Sequence, residues 1–187
     1  MSSFVVVLDA CVLFPAPLRD TLLRAASAGL YRMQWTNDIL EEVQRNLVSN
    51  LNIPEEKAQR LIDTMRKYFP EALITQHTPL INSMPNDPKD RHVLAAAVVC
   101  RAQVIVTHNL RHFSRELLSL FEVEAQSPDK FLTHLFYLDP DRMTEIVKEQ
   151  AGDLRNPPHT VREVLNILAY HAPKFANLVA SYIDTWE

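Results

Sequence analysis

Residues 4–9 read Phe-Val-Val-Val-Leu-Asp. Five apolar residues in a row, three of them β-branched, suit a strand buried on both faces, and such strands belong to parallel sheets. Asp9 follows at the C-terminal end of this strand, where open parallel sheets place their ligand crevice. Beyond Pro15 and Pro17, a helical period runs over Leu18–Ala28 (Leu18, Leu22, Leu23, Ala26), and Gly29 suits its C-terminal cap. Tyr31–Trp35 reads as a second strand. Thr36–Ser49 reads as a helix with Ile39, Leu40, Val43 and Leu47 on one side. Pro54 opens a further helix from Glu55 to about Phe69.

Leu73–Ile74 is a short strand candidate, and Thr78–Lys89, with Pro79, Pro85 and Pro88, must be loop. Asp90–Arg101 is helical and apolar nearly all round, the pattern of a helix buried between layers. Val104–Val106 is another buried strand, followed by a helix at Ser114–Phe121 and a last strand at Glu122–Ala125. Strands alternating with helices imply an α/β domain with a mostly parallel central sheet. From Ser127 the pattern changes to four amphipathic helices separated at Pro140, Pro157–Pro158 and Pro173. The expected division is therefore 1–127 for the α/β domain and 128–187 for a helical extension.

Composition narrows the function. The chain has 187 residues, 47% hydrophobic and 22% charged, which excludes wholesale disorder. It has only two glycines, Gly29 and Gly152. A Walker loop, a GxGxxG dinucleotide loop and a GxSxG elbow each need two or more close together, so none exists here in its usual form. Cys11 and Cys100 lie in apolar runs and form no CxxC. No basic n-region with an apolar h-region begins the chain, and no stretch is long enough to span a membrane. The expectation is a cytoplasmic protein with reduced thiols and no membrane association. A net charge of −4 argues against a general nucleic-acid coat but leaves room for a local basic rim.

Three further polar groups join Asp9. Asp90 precedes the buried helix, where it could cap the N-terminus, but Val93 and Leu94 place it beside a buried face, where a charge wants a cation. Glu42 flanks the Ile39–Val43 stripe and can reach inward, whereas Glu41 pairs with Arg45 across the solvent face. Thr107-His108-Asn109 ends the Val104–Val106 strand at the same sheet edge as Asp9. Clustered carboxylates repel one another unless a cation is bound, and oxygen-only donors suit Mg2+ or Mn2+. His108 and His112 are four apart, but no HExxH glutamate accompanies them, and they read as loop histidines. A dehalogenase-type phosphatase would need a second acid where Cys11 stands.

Val7-Leu8-Asp9-Ala10-Cys11-Val12-Leu13, Ile39-Leu40-Glu41-Glu42-Val43, Asp87-Pro88-Lys89-Asp90-Arg91-His92-Val93-Leu94-Ala95-Ala96-Ala97 and Val104-Ile105-Val106-Thr107-His108-Asn109 together resemble a PIN domain. This is the family of small metal-dependent ribonucleases that includes the VapC-type toxins of toxin–antitoxin pairs. The resemblance covers about residues 1–127. It implies a Rossmann-like α/β/α sandwich and metal-binding acids at Asp9, Glu42 and Asp90. It also implies an RNA substrate attacked by metal-activated water. Many members carry a fourth aspartate where this chain has Asn109, and others carry it where this chain has His112. Asn109 would then ligate through its carbonyl oxygen or order the site, with Thr107 supporting the turn. Asp87 is a substitute whose direction the sequence does not fix, and the number of metals stays open.

Arg91 and Arg111 flank this site and are the arginines expected to contact RNA. The helical extension has three readings: completing the core, forming a homodimer surface, or docking a cognate antitoxin segment in a groove. Exposed Phe131, Phe136, Phe175 or Trp186 would favour docking. The reading reached is a Mg2+- or Mn2+-dependent endoribonuclease, the toxin of a toxin–antitoxin pair. The rival is a catalytically weakened PIN domain acting as an RNA-binding or regulatory module, suggested by the missing fourth acid.

Overall fold

The computed structural model describes residues 4–186, and the side chain of Trp186 lies outside the described residues. Two compact units emerge. The first comprises the chain up to Phe14 together with Tyr31–Ala125, and the second comprises Pro15–Leu30 with the residues from Gln126 on. The units are thus not consecutive along the chain.

The first unit is built on a sheet. Its strands are β1 (Val5–Leu8), β2 (Arg32–Thr36), β3 (Leu73–Ile74), β4 (Val104–Val106) and β5 (Glu124–Gln126), in the order β3-β2-β1-β4-β5. The ladders β3–β2, β2–β1 and β1–β4 are all parallel. Valines 5–7 and Leu8 are buried, as a central strand covered on both faces demands. The register pairs Leu8 with Val106, so the next residues, Asp9 and Thr107, leave the sheet side by side.

Helices follow the strands directly. Asp9 caps a single turn, α1 (Ala10–Leu13), which the proline-marked break had not suggested. Residues 16–27 form α2 (Ala16–Ser27), which belongs to the second unit. Thr36 ends β2 and caps α3 (Asn37–Leu51), its hydroxyl accepting from the Ile39 N–H, so α3 starts at the carboxyl edge of the sheet. Pro54 opens α4 (Glu55–Tyr68), as its position predicts. The proline-rich stretch is irregular apart from one 3-10 segment at Thr78–Ser83. Then α5 (Arg91–Cys100) buries Val93, Leu94, Ala95, Ala96 and Ala97. Short α6 (Arg115–Ser119) precedes β5. Fold and layer type match the expected α/β reading, a central parallel sheet with helices.

In the second unit, α2 joins α7 (Pro128–Leu138), α8 (Pro140–Asp153), α9 (Val161–Leu168) and α10 (Pro173–Trp186). After α2, Gly29 takes φ +77° and the Leu30 N–H reaches the Ala25 carbonyl, a glycine-dependent helix stop. Phe131, Phe136 and Phe175 are buried within this unit, and Phe136 meets Phe175 edge to face at 6.5 Å. These phenylalanines form its core and offer no docking surface. Among the described residues no helix is long and apolar enough to cross a membrane.

Candidate metal-binding and nuclease site

All eight residues expected at the site fall in the first unit, at or beside the carboxyl edge of the sheet. Asp9 is the most buried of the acids among them, at 2% exposure. Its Oδ1 accepts the Ala10 N–H at 2.7 Å, and its Oδ2 accepts the Thr107 hydroxyl at 2.6 Å and the Cys11 thiol at 3.2 Å. A carboxylate offers about four acceptor positions, so three donors leave one free. Burial, and then the charge of Asp9, push the Cys11 thiol up to about 12, which keeps it a neutral donor. The same sulfur accepts the His108 N–H, and the Thr107 hydroxyl accepts the Asn109 N–H at 2.9 Å. The Thr107-His108-Asn109 turn is therefore pinned to the Asp9 loop.

An open pocket of about 460 Å³ lies at this edge. Glu42, Asp90 and Asn109 line it, together with Asp38, Glu41, Arg45, Lys89, His92 and His112. Glu42 stands one turn into α3 beyond Asp38, on the side where Ile39 and Val43 bury. Burial and the charge of Asp9 raise its carboxyl above the usual range, while His92 and Arg45 oppose this and Asp90 adds to it. Glu42 thus feels both other acids. His92 Nε2 is 3.8 Å from Glu42 Oε2 and makes no hydrogen bond.

Asp90 occupies the N-cap position of α5 but makes no side-chain cap bond. Its Oδ2 instead faces His112 Nδ1 at 2.5 Å. Arg111 Nε–H donates to His112 Nε2 at 3.1 Å. Arginine can only donate, so Nε2 carries the lone pair and Nδ1–H points to Asp90. Asp87 stands on the same side: donor atoms of Asp87, Asp90 and His112 all lie within 4.8 Å of one another. Asp87 Oδ1 also accepts the Lys89 N–H at 3.0 Å.

His112 was read from sequence as a plain loop histidine. It instead lines the pocket on Asp90, brought there by the 3-10 turn Leu110–His112 and anchored by the buried ring of Phe113. The run His-Asn-Leu-Arg-His-Phe carried that signal only through the apolar Phe113, because spacing alone does not reveal a short 3-10 turn. Arg111 reaches His112, whereas Arg91 turns back to the Asn86 carbonyl at 3.3 Å. The arginine and lysine lining the pocket are Arg45 and Lys89, not the expected pair Arg91 and Arg111.

Residues 5–111 match the profile of the PIN domain, and residues 128–181 match that of the VapC50 C-terminal domain. The chain is 39% identical over 100 residues to the protein of Mycobacterium tuberculosis (strain ATCC 25618 / H37Rv) named "Putative ribonuclease VapC50". That alignment covers 54% of this chain and 59% of that protein. A match to more than half the chain, over the segments that carry Asp9, Glu42 and Asp90, shows that this chain belongs to the PIN domain family.

Proposed function

We propose that the chain is a metal-dependent endoribonuclease that hydrolyses RNA phosphodiester bonds, with Asp9, Glu42 and Asp90 holding Mg2+ or Mn2+. The observation that carries this is the convergence of Glu42, Asp90 and Asn109 on one open pocket at the sheet edge where Asp9 lies; partial burial and the charges of Asp9 and Asp90 raise the Glu42 carboxyl, a repulsion that a cation would relieve. The donor set fits a hard divalent ion. Glu42, Asp90 and the Asn109 amide line one open pocket, and Asp9 keeps one acceptor position beyond its three donors. When bound, such an ion supplies an activated water and charge neutralisation at the leaving oxygen. Thr107 and Cys11 both donate to Asp9 Oδ2 and hold its carboxylate aimed. Asn109, tied to Thr107 through its N–H, holds its amide at the pocket wall.

The test is cleavage of a mixed RNA pool by purified protein with Mn2+, with EDTA, and by the Asp90→Asn variant. Cleavage that needs the metal and is lost in the variant is the expected result. No cleavage with any divalent metal would leave the rival reading, a non-catalytic RNA-binding or regulatory module. That rival drew on the absent fourth acid, but Asp87 and His112 bring further donors to Asp90 and weaken its motive. A toxin role, a cognate antitoxin partner and a cytoplasmic setting belong to the same proposal, supported by the likeness to VapC50. The division at residue 127, with 128–187 as a helical extension, is part of the same reading; a homodimer is kept as a further arrangement of that extension.

Arg45 and Lys89 line the acid pocket and are placed to meet the phosphates flanking the scissile bond. Arg45→Ala and Lys89→Ala should each weaken binding of single-stranded RNA and lower the slope of log affinity against log salt by about 1. Arg91→Ala and Arg111→Ala are the comparison pair, measured over the same salt series. A larger slope change in that pair would put the phosphate path on the Arg91–Arg111 side instead.

A further inference from the structure

We infer that His112 makes this a mixed nitrogen–oxygen site that prefers Mn2+ to Mg2+, with Asp87 and Asp90 supplying the oxygens beside its imidazole. The inference rests on reading Asp90 as a metal-holding carboxylate. His112 Nδ1 faces Asp90 Oδ2 at 2.5 Å, and Asp87 brings a third donor within 4.8 Å. A divalent ion that takes the place of the shared proton would draw on the two atoms already facing each other. The imidazole must then hold its single N–H proton on Nε2 instead of Nδ1, so Arg111 releases its contact there. Arg111 is exposed and free to turn outward.

Two features indicate that this geometry is built rather than incidental. Asp90 stands where an aspartate ordinarily caps the helix, yet it makes no cap bond and spends its carboxylate on His112. The His112 backbone is held on both sides, by its N–H to the Asn109 carbonyl at 2.9 Å and by the buried Phe113 ring that follows. The chemistry then selects the ion. Mg2+ demands oxygen donors and gives up water reluctantly, whereas an imidazole nitrogen favours the transition-metal divalents. One imidazole among carboxylates therefore tilts the site toward Mn2+ without excluding Mg2+.

The experiment uses the full chain, stripped with EDTA and titrated with Mn2+ and with Mg2+. Free Mn2+ is followed by its EPR signal, and bound Mn2+ is examined by pulsed EPR for coupling to 14N. The expected result is 14N coupling in the native protein that is lost in His112→Asp and in His112→Gln while Mn2+ still binds. His92→Gln should retain the coupling, which separates the two pocket histidines. The Mn2+-to-Mg2+ affinity ratio should fall about tenfold in His112→Asp. Using both His112 variants keeps the test decisive if one of them folds poorly. Bound Mn2+ without nitrogen coupling, or an unchanged affinity ratio, would overturn the inference. RNA cleavage is scored separately: cleavage without nitrogen coupling overturns only the role of His112, and coupling without cleavage overturns only the ribonuclease reading.

Discussion

Glu42→Gln in EDTA should melt above the native chain at neutral pH and, with Mn2+ restored, cleave RNA on the order of 100-fold more slowly. The two effects have one cause. Burial first, and the charge of Asp9 second, raise the Glu42 carboxyl above its ordinary value. A group whose folded pKa is raised binds its proton more readily in the native state than in the unfolded one. Its stabilising contribution is full below the unfolded pKa of about 4.5 and is lost as pH rises through the folded value. At pH 7 the ionised Glu42 therefore weighs against the metal-free fold. Glutamine removes that charge with little change in shape.

Glu42 is about a third exposed, so solvent screens much of the effect, and a rise in Tm of about 1–3 °C is the appropriate scale. The gap between variant and native chain should close as pH falls toward 4.5, where the native Glu42 is itself protonated. Excess Mn2+ should reverse the order, because ligand binding stabilises the native site in proportion to its affinity. Thermal melts at pH 4.5 and pH 7, with EDTA and with Mn2+, read all of this. A Glu42→Gln chain that melts lower than native at pH 7 in EDTA would mean that the carboxylate serves a structural ion pair with Arg45 or His92 instead.

The fold was legible in the sequence because its signals are local and strong. Three valines and a leucine ahead of Asp9 can only be a covered strand, and the run from Val93 to Ala97 can only be a covered helix. The same local logic placed Asp9 and Thr107 together, since both end buried strands that turn out to be neighbours in register. What the sequence concealed was set by contacts between distant segments. Nothing in residues 15–30 says that this helix groups with the helices after Gln126, where Thr21 bonds Gln150 at 2.7 Å and Arg24 bonds Asp153 at 2.7 Å. His112 was misjudged for a related reason. Its partner lies 22 residues away, and its direction depends on a 3-10 turn too short to leave a hydrophobic period. The tail phenylalanines left core and docking open in the sequence, because an aromatic on an amphipathic helix reads alike whether it faces a partner or its own core.

Thr107→Val should lower Tm by about 5–10 °C and reduce metal-dependent cleavage, while Thr107→Ser should restore most of both. Valine keeps the shape and removes one hydroxyl. That hydroxyl is fully buried and bonds in two directions, donating to Asp9 Oδ2 at 2.6 Å and accepting the Asn109 N–H at 2.9 Å. Losing a hydrogen bond to a charged group costs about 1.5–3 kcal/mol, because the buried carboxylate keeps its desolvation penalty. Cys11 alone cannot make up the loss, since a thiol at 3.2 Å is a weak donor. The functional loss should follow from geometry rather than from unfolding. Without the hydroxyl, Asp9 is free to turn about its Cβ, and the Asn109 loop loses the bond that fixes its register on β4. A fall in Mn2+ affinity, measured well below the melting temperature, would separate that release from a plain stability defect. Serine keeps the donor and the acceptor and sacrifices only a methyl group, so its recovery ties the effect to the hydroxyl. Equal damage in Thr107→Ser would instead place the whole effect in packing around the methyl and remove Thr107 from the site.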